Sequence, residues 1–198
     1  MELLLDSDVL CKLAAADLLA DTIKIFGLTM PDCRRLPALP HMLRRGSLRR
    51  YLGDALSDRL LPVVQAIAPV AEASVAWLDK LAHEPEIDPG EAQLFAVAAE
   101  RRSWIVTGDK RSLTALAEIP DYVAATAGRI VIPECVLFAL CGQLGVAEMH
   151  KRIQPVKAID NVVKICFSEN PGDPPAALLS YANDAETSLS PLKLWKPE

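Results

Sequence analysis

Apolar residues occur along the chain either in short continuous runs or at spacings of three and four, the two patterns that predict buried strands and amphipathic helices. The runs, which we predict to be strands, are residues 2–6, 104–107 and 129–132. The helical patterns around them cover residues 8–26, 92–102, 110–117 and 134–144. This alternation predicts a three-layer α/β fold with a central, mainly parallel sheet, in which strands 2–6 and 104–107 are neighbours.

The rest of the chain is predicted to be helical. Residues 31–84 contain spaced prolines, which begin helices more readily than they continue them, and an apolar stripe at helical spacing. Residues 155–167 and 174–185 predict two further helices. We therefore expect a single domain over 1–198, with a core over about 1–30 and 85–145, a helical insert over about 31–84 and a C-terminal helical extension over about 150–198.

Composition favours a packed globular protein, since 51% of the 198 residues are hydrophobic. The five cysteines are an odd number without a Cys-x-x-Cys pair, which argues against zinc ligation and a disulfide framework and favours a reducing, cytoplasmic location. The N-terminus lacks the pattern of a signal peptide. The longest uncharged run, residues 135–147, is shorter than the roughly 20 apolar residues that span a membrane, so we expect no membrane partner.

The net charge of −5 gives no overall signature of nucleic-acid binding, but the basic residues are unevenly distributed. No acidic residue lies between Cys33 and Gly53, a segment that carries three arginine pairs: Arg34 and Arg35, Arg44 and Arg45, Arg49 and Arg50. Such a segment either forms a local face that contacts phosphates or is a solvated or structural surface.

Three acidic residues follow predicted strands or begin a predicted helix. Asp6 and Asp109 come just after the strands at 2–6 and 104–107, and Glu91 lies in the sequence Asp88-Pro89-Gly90-Glu91. Ligands of parallel α/β sheets bind beyond the carboxyl ends of the strands, and carboxylates gathered there suit a hard cation such as Mg²⁺. Each acid also has a structural interpretation as a helix cap.

Together, Asp6-Ser7-Asp8-Val9-Leu10, Pro89-Gly90-Glu91-Ala92 and Thr107-Gly108-Asp109-Lys110 resemble, in this order, the motifs of the PIN-domain family of compact α/β metal-dependent nucleases. The resemblance covers residues 1–27 and about 85–145. It implies a PIN-like fold and an endoribonuclease that hydrolyses RNA phosphodiesters, with Mg²⁺ or Mn²⁺ activating a bound water.

Carried over by position, the resemblance implies that Asp6, Glu91 and Asp109 are catalytic and bind the metal. A fourth ligand could come from Asp8, which we include in the metal set, or from Asp32, Asp88 or Glu134. The expected substrate contacts are Thr107, Lys110, Arg44, Arg45, Arg49 and Arg50. The chain lacks a further acid shortly after Asp109, where many family members have one, so its acid set is thinner than usual.

Two alternatives remain open from the sequence. A PIN-like scaffold with a reduced acid set would bind RNA or a protein partner without catalysis; many family members are toxins neutralised by a small antitoxin, and a homodimer is also compatible with the family. Residues 3–10 also resemble the first motif of haloacid-dehalogenase-type phosphatases, with Asp6 as nucleophile and Asp8 as general acid. That family needs an acidic pair after a later strand, and this chain has Glu134 alone there, which ranks the phosphatase lower.

Overall fold

The computed structural model describes residues 1–168 and 172–197, and within them short parallel strands form one sheet. The strands are β1 (Leu3–Leu5), β2 (Cys33–Arg35), β3 (Ala68–Pro69), β4 (Trp104–Val106) and β5 (Ile130–Val131). Their order across the sheet is β3-β2-β1-β4-β5, and every neighbouring pair is parallel. The predicted α/β class with a parallel sheet is therefore confirmed.

Helices flank the sheet and make up most of the described chain. In chain order they are α1 (Ser7–Ala15), α2 (Leu19–Ile25), α3 (Leu39–Arg45), α4 (Ser47–Leu52), α5 (Asp54–Ala66), α6 (Val75–Leu81), α7 (Pro89–Arg101), α8 (Lys110–Ala117), α9 (Pro120–Ala125), α10 (Pro133–Leu144), α11 (Val146–Arg152), α12 (Gln154–Lys157), α13 (Asn161–Cys166) and α14 (Pro174–Ser188), with a 3₁₀ turn at Met30–Asp32. None of these helices is both long enough and apolar enough to cross a membrane.

The central strand β1 is buried on both faces, because Leu3, Leu4 and Leu5 are all fully inaccessible to solvent. It pairs with β2 on one side and β4 on the other, with Leu5 opposite Val106. The predicted adjacency of these two apolar runs is thus confirmed. Since both strands run in the same direction, the residues that follow them lie at the same edge of the sheet.

Residues 31–84 are not wholly helical, and that part of the prediction is wrong. They contribute β2 and β3, which extend the sheet on one side of β1. These strands are only 3 and 2 residues long, too short to show a periodicity of their own.

Two helices predicted as continuous are divided. The predicted helix over 8–26 breaks at Asp17, which has a positive φ of 56° and so cannot continue a right-handed helix. The predicted helix over 155–167 becomes α12 and α13, separated by a turn that ends at Asp160. Ile159, in this second break, is partly buried and packs against the core.

The C-terminal segment packs onto the sheet domain, with α14 lying against α10. Leu194 forms a parallel bridge with Ile130, so the chain after α14 adds a contact at the β5 edge. The five cysteines are free and buried.

Candidate active site

Asp6 lies where β1 passes into α1, at the carboxyl edge of the sheet. Its backbone N–H donates to the carbonyl of Val106 at 3.0 Å, which fixes it beside the end of β4. Although it occupies the N-cap position of α1, its side chain makes no capping hydrogen bond. Within the described chain, the side-chain donor that faces it is the Thr107 hydroxyl, whose Oγ1 lies 3.5 Å from Asp6 Oδ2, a long and weak contact. The helix-cap interpretation therefore does not account for the Asp6 carboxylate.

The electrostatic surroundings of Asp6 disfavour its charged form. Burial raises the pKa of Asp6 to about 7, and the negative charges of Asp8, Glu91 and Asp109 act in the same direction, against the opposing hydrogen bond from the Ser7 backbone. A carboxyl group held in this way is proton-bound or needs a nearby cation at neutral pH.

Asp109 follows β4 and does cap a helix. Its Oδ1 accepts hydrogen bonds from the backbone N–H groups of Arg111 at 2.9 Å and Ser112 at 3.2 Å, at the start of α8. The guanidinium of Arg111 lies 3.2 Å from Asp109 Oδ2. Although burial acts in the opposite direction, these donors lower the pKa of Asp109, so it is ionised at neutral pH.

Glu91 belongs to a capping box at the start of α7. Asp88 accepts from the backbone N–H of Glu91 at 2.9 Å, and Glu91 Oε2 accepts from the backbone N–H of Asp88 at 3.1 Å. Glu91 also lies 2.7 Å from the hydroxyl of Ser112, which joins α7 to α8. The structural interpretation weighed for Asp88 and Glu91 is confirmed, and it coexists with a position beside Asp109.

Glu91 and Asp109 lie close enough to influence each other's pKa, and both contact Ser112. Burial raises the pKa of Glu91, and the charges of Asp88 and Asp109 add to this, while the hydrogen bonds from Ser112 and the Asp88 backbone only partly offset it. The two neighbouring carboxyl groups thus have pKa values shifted in opposite directions.

The hydroxyl of Thr107 contacts both Asp6 and Asp109. The residue is 1% exposed, and its Oγ1 accepts from the backbone N–H of Asp109 at 3.2 Å while facing Asp6. The structure therefore gives this residue a positioning role and leaves little of its surface for a substrate.

We refer to Asp6, Glu91 and Asp109 as the acidic site. Across the described residues 1–168 and 172–197, no group of three or more His, Cys, Asp or Glu side chains is already arranged to hold a metal ion. The oxygen donors nevertheless suit Mg²⁺, which usually binds through one or two carboxylates and completes its shell with waters and substrate phosphates. The acidic site therefore matches such an ion in donor chemistry without forming a complete cage.

The four candidates for an additional ligand fall in different places. Asp32 lies in the 3₁₀ turn before β2, at the amino edge of the sheet, and accepts hydrogen bonds from Thr29. Asp88 is occupied as the cap of α7, and Glu134 is buried in the first turn of α10. Asp8 is the neighbouring carboxylate that raises the pKa of Asp6 most strongly. Asp8 is ion-paired with Lys12, with its Oδ2 2.6 Å from Lys12 Nζ.

The six arginines of the basic segment have two kinds of environment. Arg34 pairs with Glu2 at 2.8 Å, and Arg35 is buried and donates to the carbonyl of Val64 at 2.8 Å. Arg49 pairs with Asp58 at 2.6 Å and also with Asp54. The remaining three are exposed and form no ion pair within the described chain: Arg44, Arg45 and Arg50. Lys110, the other predicted substrate contact, is exposed beside Asp109.

Sequence reasoning missed two residues that matter here. Ser112 is three residues after Asp109, so the hydrogen bond from its backbone N–H to that N-cap residue follows from the capping pattern. The hydrogen bond from its hydroxyl to Glu91 joins α8 to α7 and has no such local signal. Lys12 lies four residues after Asp8, a spacing that predicts an ion pair on a helix. Its second partner, Asp160, is 148 residues away in sequence.

No known family model, curated protein or solved structure matches the chain.

Proposed function

We propose that this protein is a Mg²⁺- or Mn²⁺-dependent endoribonuclease of the PIN-domain type, acting through Asp6, Glu91 and Asp109. The observation that carries the proposal is the Asp6 carboxyl, which lies at the carboxyl edge of the sheet with no capping role. Burial, together with the charges of three nearby acids, raises its pKa. Strongly perturbed groups at this position of a parallel sheet are typical of functional sites.

In this proposal the chain's own residues hold a cation and orient a phosphodiester. Asp6 and Asp109 supply charged oxygens, and the Thr107 hydroxyl lies between them, accepting from the Asp109 backbone and facing Asp6. Glu91 has a raised pKa, which makes its carboxylate a stronger proton acceptor than an ordinary glutamate, and the Ser112 hydroxyl donates to it. A bound Mg²⁺ or Mn²⁺ would lower the pKa of a water and offset charge on the phosphate.

The second candidate is a PIN-like scaffold that binds RNA or a protein partner without cleaving RNA. Its support is that Glu91 and Asp109 serve as helix caps and that the described residues contain no ready-made three-ligand group. The phosphatase alternative is disfavoured, because Asp8, its general acid, is held in an ion pair with Lys12.

A cleavage assay separates the first two candidates. We expect the purified protein to cut single-stranded or structured RNA with Mg²⁺ or Mn²⁺ and to lose this activity when EDTA is added. Restored cutting after excess metal is supplied would exclude damage by the chelator. Retained RNA binding in the absence of any cutting, over a range of RNAs and both metals, would favour the scaffold.

The exposed arginines predict a salt-dependent contribution to RNA binding. Replacing Arg44 and Arg45 by alanine is expected to weaken binding of all RNA sequences alike and to flatten its salt dependence by roughly one released counterion for each lost phosphate contact. The measurement is a set of binding isotherms at several salt concentrations in EDTA, where no cleavage occurs.

Arg49→Ala is the matched control, because Arg49 already pairs with Asp54 and Asp58. We expect it to lower the melting temperature more than the Arg44 and Arg45 substitutions do and to change the salt slope less. If the Arg44 and Arg45 variant keeps the full slope, those side chains do not contact phosphates.

A further inference from the structure

A cavity of about 340 Å³ lies between α10, α14 and the C-terminal segment that follows α14. Its apolar walls come from all three elements: Phe138 of α10, Leu179 and Ala182 of α14, and Leu194 and Trp195 of the C-terminal segment. Ligand sites for small molecules typically have volumes of roughly 300–1,000 Å³ and walls of this kind, with a small number of polar groups that orient the ligand. The cavity therefore has the size and the lining of a small-molecule site.

Contacts with the sheet and with aromatic side chains hold the C-terminal wall of this cavity in place. The backbone N–H of Trp195 donates to the carbonyl of Ile130 at 2.8 Å, beside the bridge between Leu194 and Ile130. The Trp195 ring lies 5.1 Å from the ring of Phe26, which also packs against Trp104. Because the wall is formed before any ligand arrives, little ordering of the chain opposes binding.

An ion pair supplies the charge at this cavity. Among the described residues, the charged side chains that line it are Glu186 of α14 and Lys196 of the C-terminal segment, and Asn183 adds a neutral amide. Lys196 Nζ lies 2.5 Å from Glu186 Oε2. The chain's own ammonium group thus occupies a carboxylate in a cavity whose walls include two aromatic rings.

Of the two partners, Lys196 is the more easily displaced. Its side chain is 60% exposed, against 42% for Glu186, and Glu186 is fixed within α14 whereas Lys196 lies in the irregular segment after that helix. Lys196 also lines a second cavity, of about 840 Å³, which shares Phe138 and Trp195 with the first. Its side chain therefore has room to move away from Glu186.

The aromatic walls favour a cation over an anion as the replacement. The faces of Trp and Phe rings carry partial negative charge and attract ammonium groups. An anionic ligand would instead have to pair with Lys196 by displacing Glu186, a residue held in a helix, and would meet the same ring faces. The net charge of −5 also attracts cations to the protein.

We propose that this cavity binds a small organic amine in its protonated form, with the ammonium group on Glu186 in place of Lys196. The apolar body of the amine lies among Phe138, Leu179 and Trp195, which supply most of the affinity, while the carboxylate selects for positive charge. The cavity shares no lining residue with the acidic site, so the proposal does not depend on the nuclease function.

Two probes of similar size and opposite charge test the preference for an amine. Phenethylamine is protonated at neutral pH, and hydrocinnamate carries a carboxylate on a similar phenyl body. Calorimetric titration of the whole chain is expected to show saturable binding of phenethylamine and at least about tenfold weaker binding of hydrocinnamate.

Two substitutions that break the same ion pair are expected to act in opposite directions. Glu186→Gln removes the partner of the ligand's ammonium group and should weaken phenethylamine binding at least about tenfold, whereas Lys196→Met removes the competing ammonium group and should tighten it about threefold or more. Loss of the ion pair as a structural contact would change both affinities in the same direction. Asp184→Asn is the matched control, because Asp184 is an exposed acid of α14 that does not line the cavity, and it should leave the affinity unchanged.

Absence of saturable phenethylamine binding up to about 10 mM overturns the proposal. So does equally tight binding of hydrocinnamate, which would indicate adsorption to apolar surface alone. Weakening of phenethylamine binding by both Glu186→Gln and Lys196→Met also overturns it, as does a loss with Asp184→Asn equal to that with Glu186→Gln. Circular dichroism checks the fold of each variant, and if Glu186→Gln does not fold, Lys196→Met together with the two probes decides the question.

Discussion

Replacing Asp6 by asparagine is expected to stabilise the protein at pH 8 by about 2–4 kcal/mol and to change its stability little near pH 4. The folded protein holds the pKa of Asp6 at about 7, above the 3.8 of a free aspartate side chain. Well below pH 4 the carboxyl is protonated in both the folded and the unfolded state, so the substitution makes no difference through its charge. Between pH 4 and 7 the folded state must keep its proton or bear an unfavourable charge, so stability falls as the pH rises. Asparagine has no charge to develop and avoids this loss.

Urea unfolding of both proteins at pH 4, 6 and 8, without divalent cations, measures the difference. Asp32→Asn is the control of opposite sign, because hydrogen bonds from Thr29 lower the pKa of Asp32 in the folded protein. Its ionised form contributes stability that is present above the unfolded pKa and lost on acidification, so Asp32→Asn should destabilise at pH 8. An Asp6→Asn variant that is equally or less stable than the unmodified protein at pH 8 would show that the Asp6 environment is not strained by charge.

The same Asp6→Asn substitution is expected to reduce metal-dependent RNA cleavage by at least about 100-fold. Loss of residues that merely orient a metal ligand typically reduces metal affinity or activity by 10–100-fold, so loss of a ligand itself should have a larger effect. A variant that is more stable and less active would identify Asp6 as a residue kept for function at a cost in stability.

Two further substitutions extend this result without disturbing the helix ends. Asn serves as well as Asp at an N-cap, and Gln serves as well as Glu in a capping box, so Asp109→Asn and Glu91→Gln should fold normally while losing charge. Both are expected to lose cleavage, whereas Asp88→Asn, which changes a cap beside the acidic site, should retain most of it. Cleavage that survives in Asp6→Asn, Glu91→Gln and Asp109→Asn combined would come from a contaminating nuclease.

Features that depend on residues close together in the chain were predictable from the amino-acid sequence. The apolar runs around Leu3–Leu5 and Trp104–Val106 predict buried parallel strands, and parallel strands place Asp6 and Asp109 at one edge. The capping box of Asp88 and Glu91 was also predictable, because its partners are three residues apart.

Which acids are occupied, and by what, depends on contacts that exist only in the folded chain. Strands β2 and β3 form because the sheet beside them offers pairing partners, and a run of two or three residues has no pattern that would reveal this. Arg35 is held by Val64, and Lys12 by Asp160, through contacts between residues far apart in the chain. Periodicity and capping rules act over a few residues along the chain. The partners of a carboxylate can lie much further away: Lys12, which pairs with Asp8, is also held by Asp160, and only the folded chain brings these residues together.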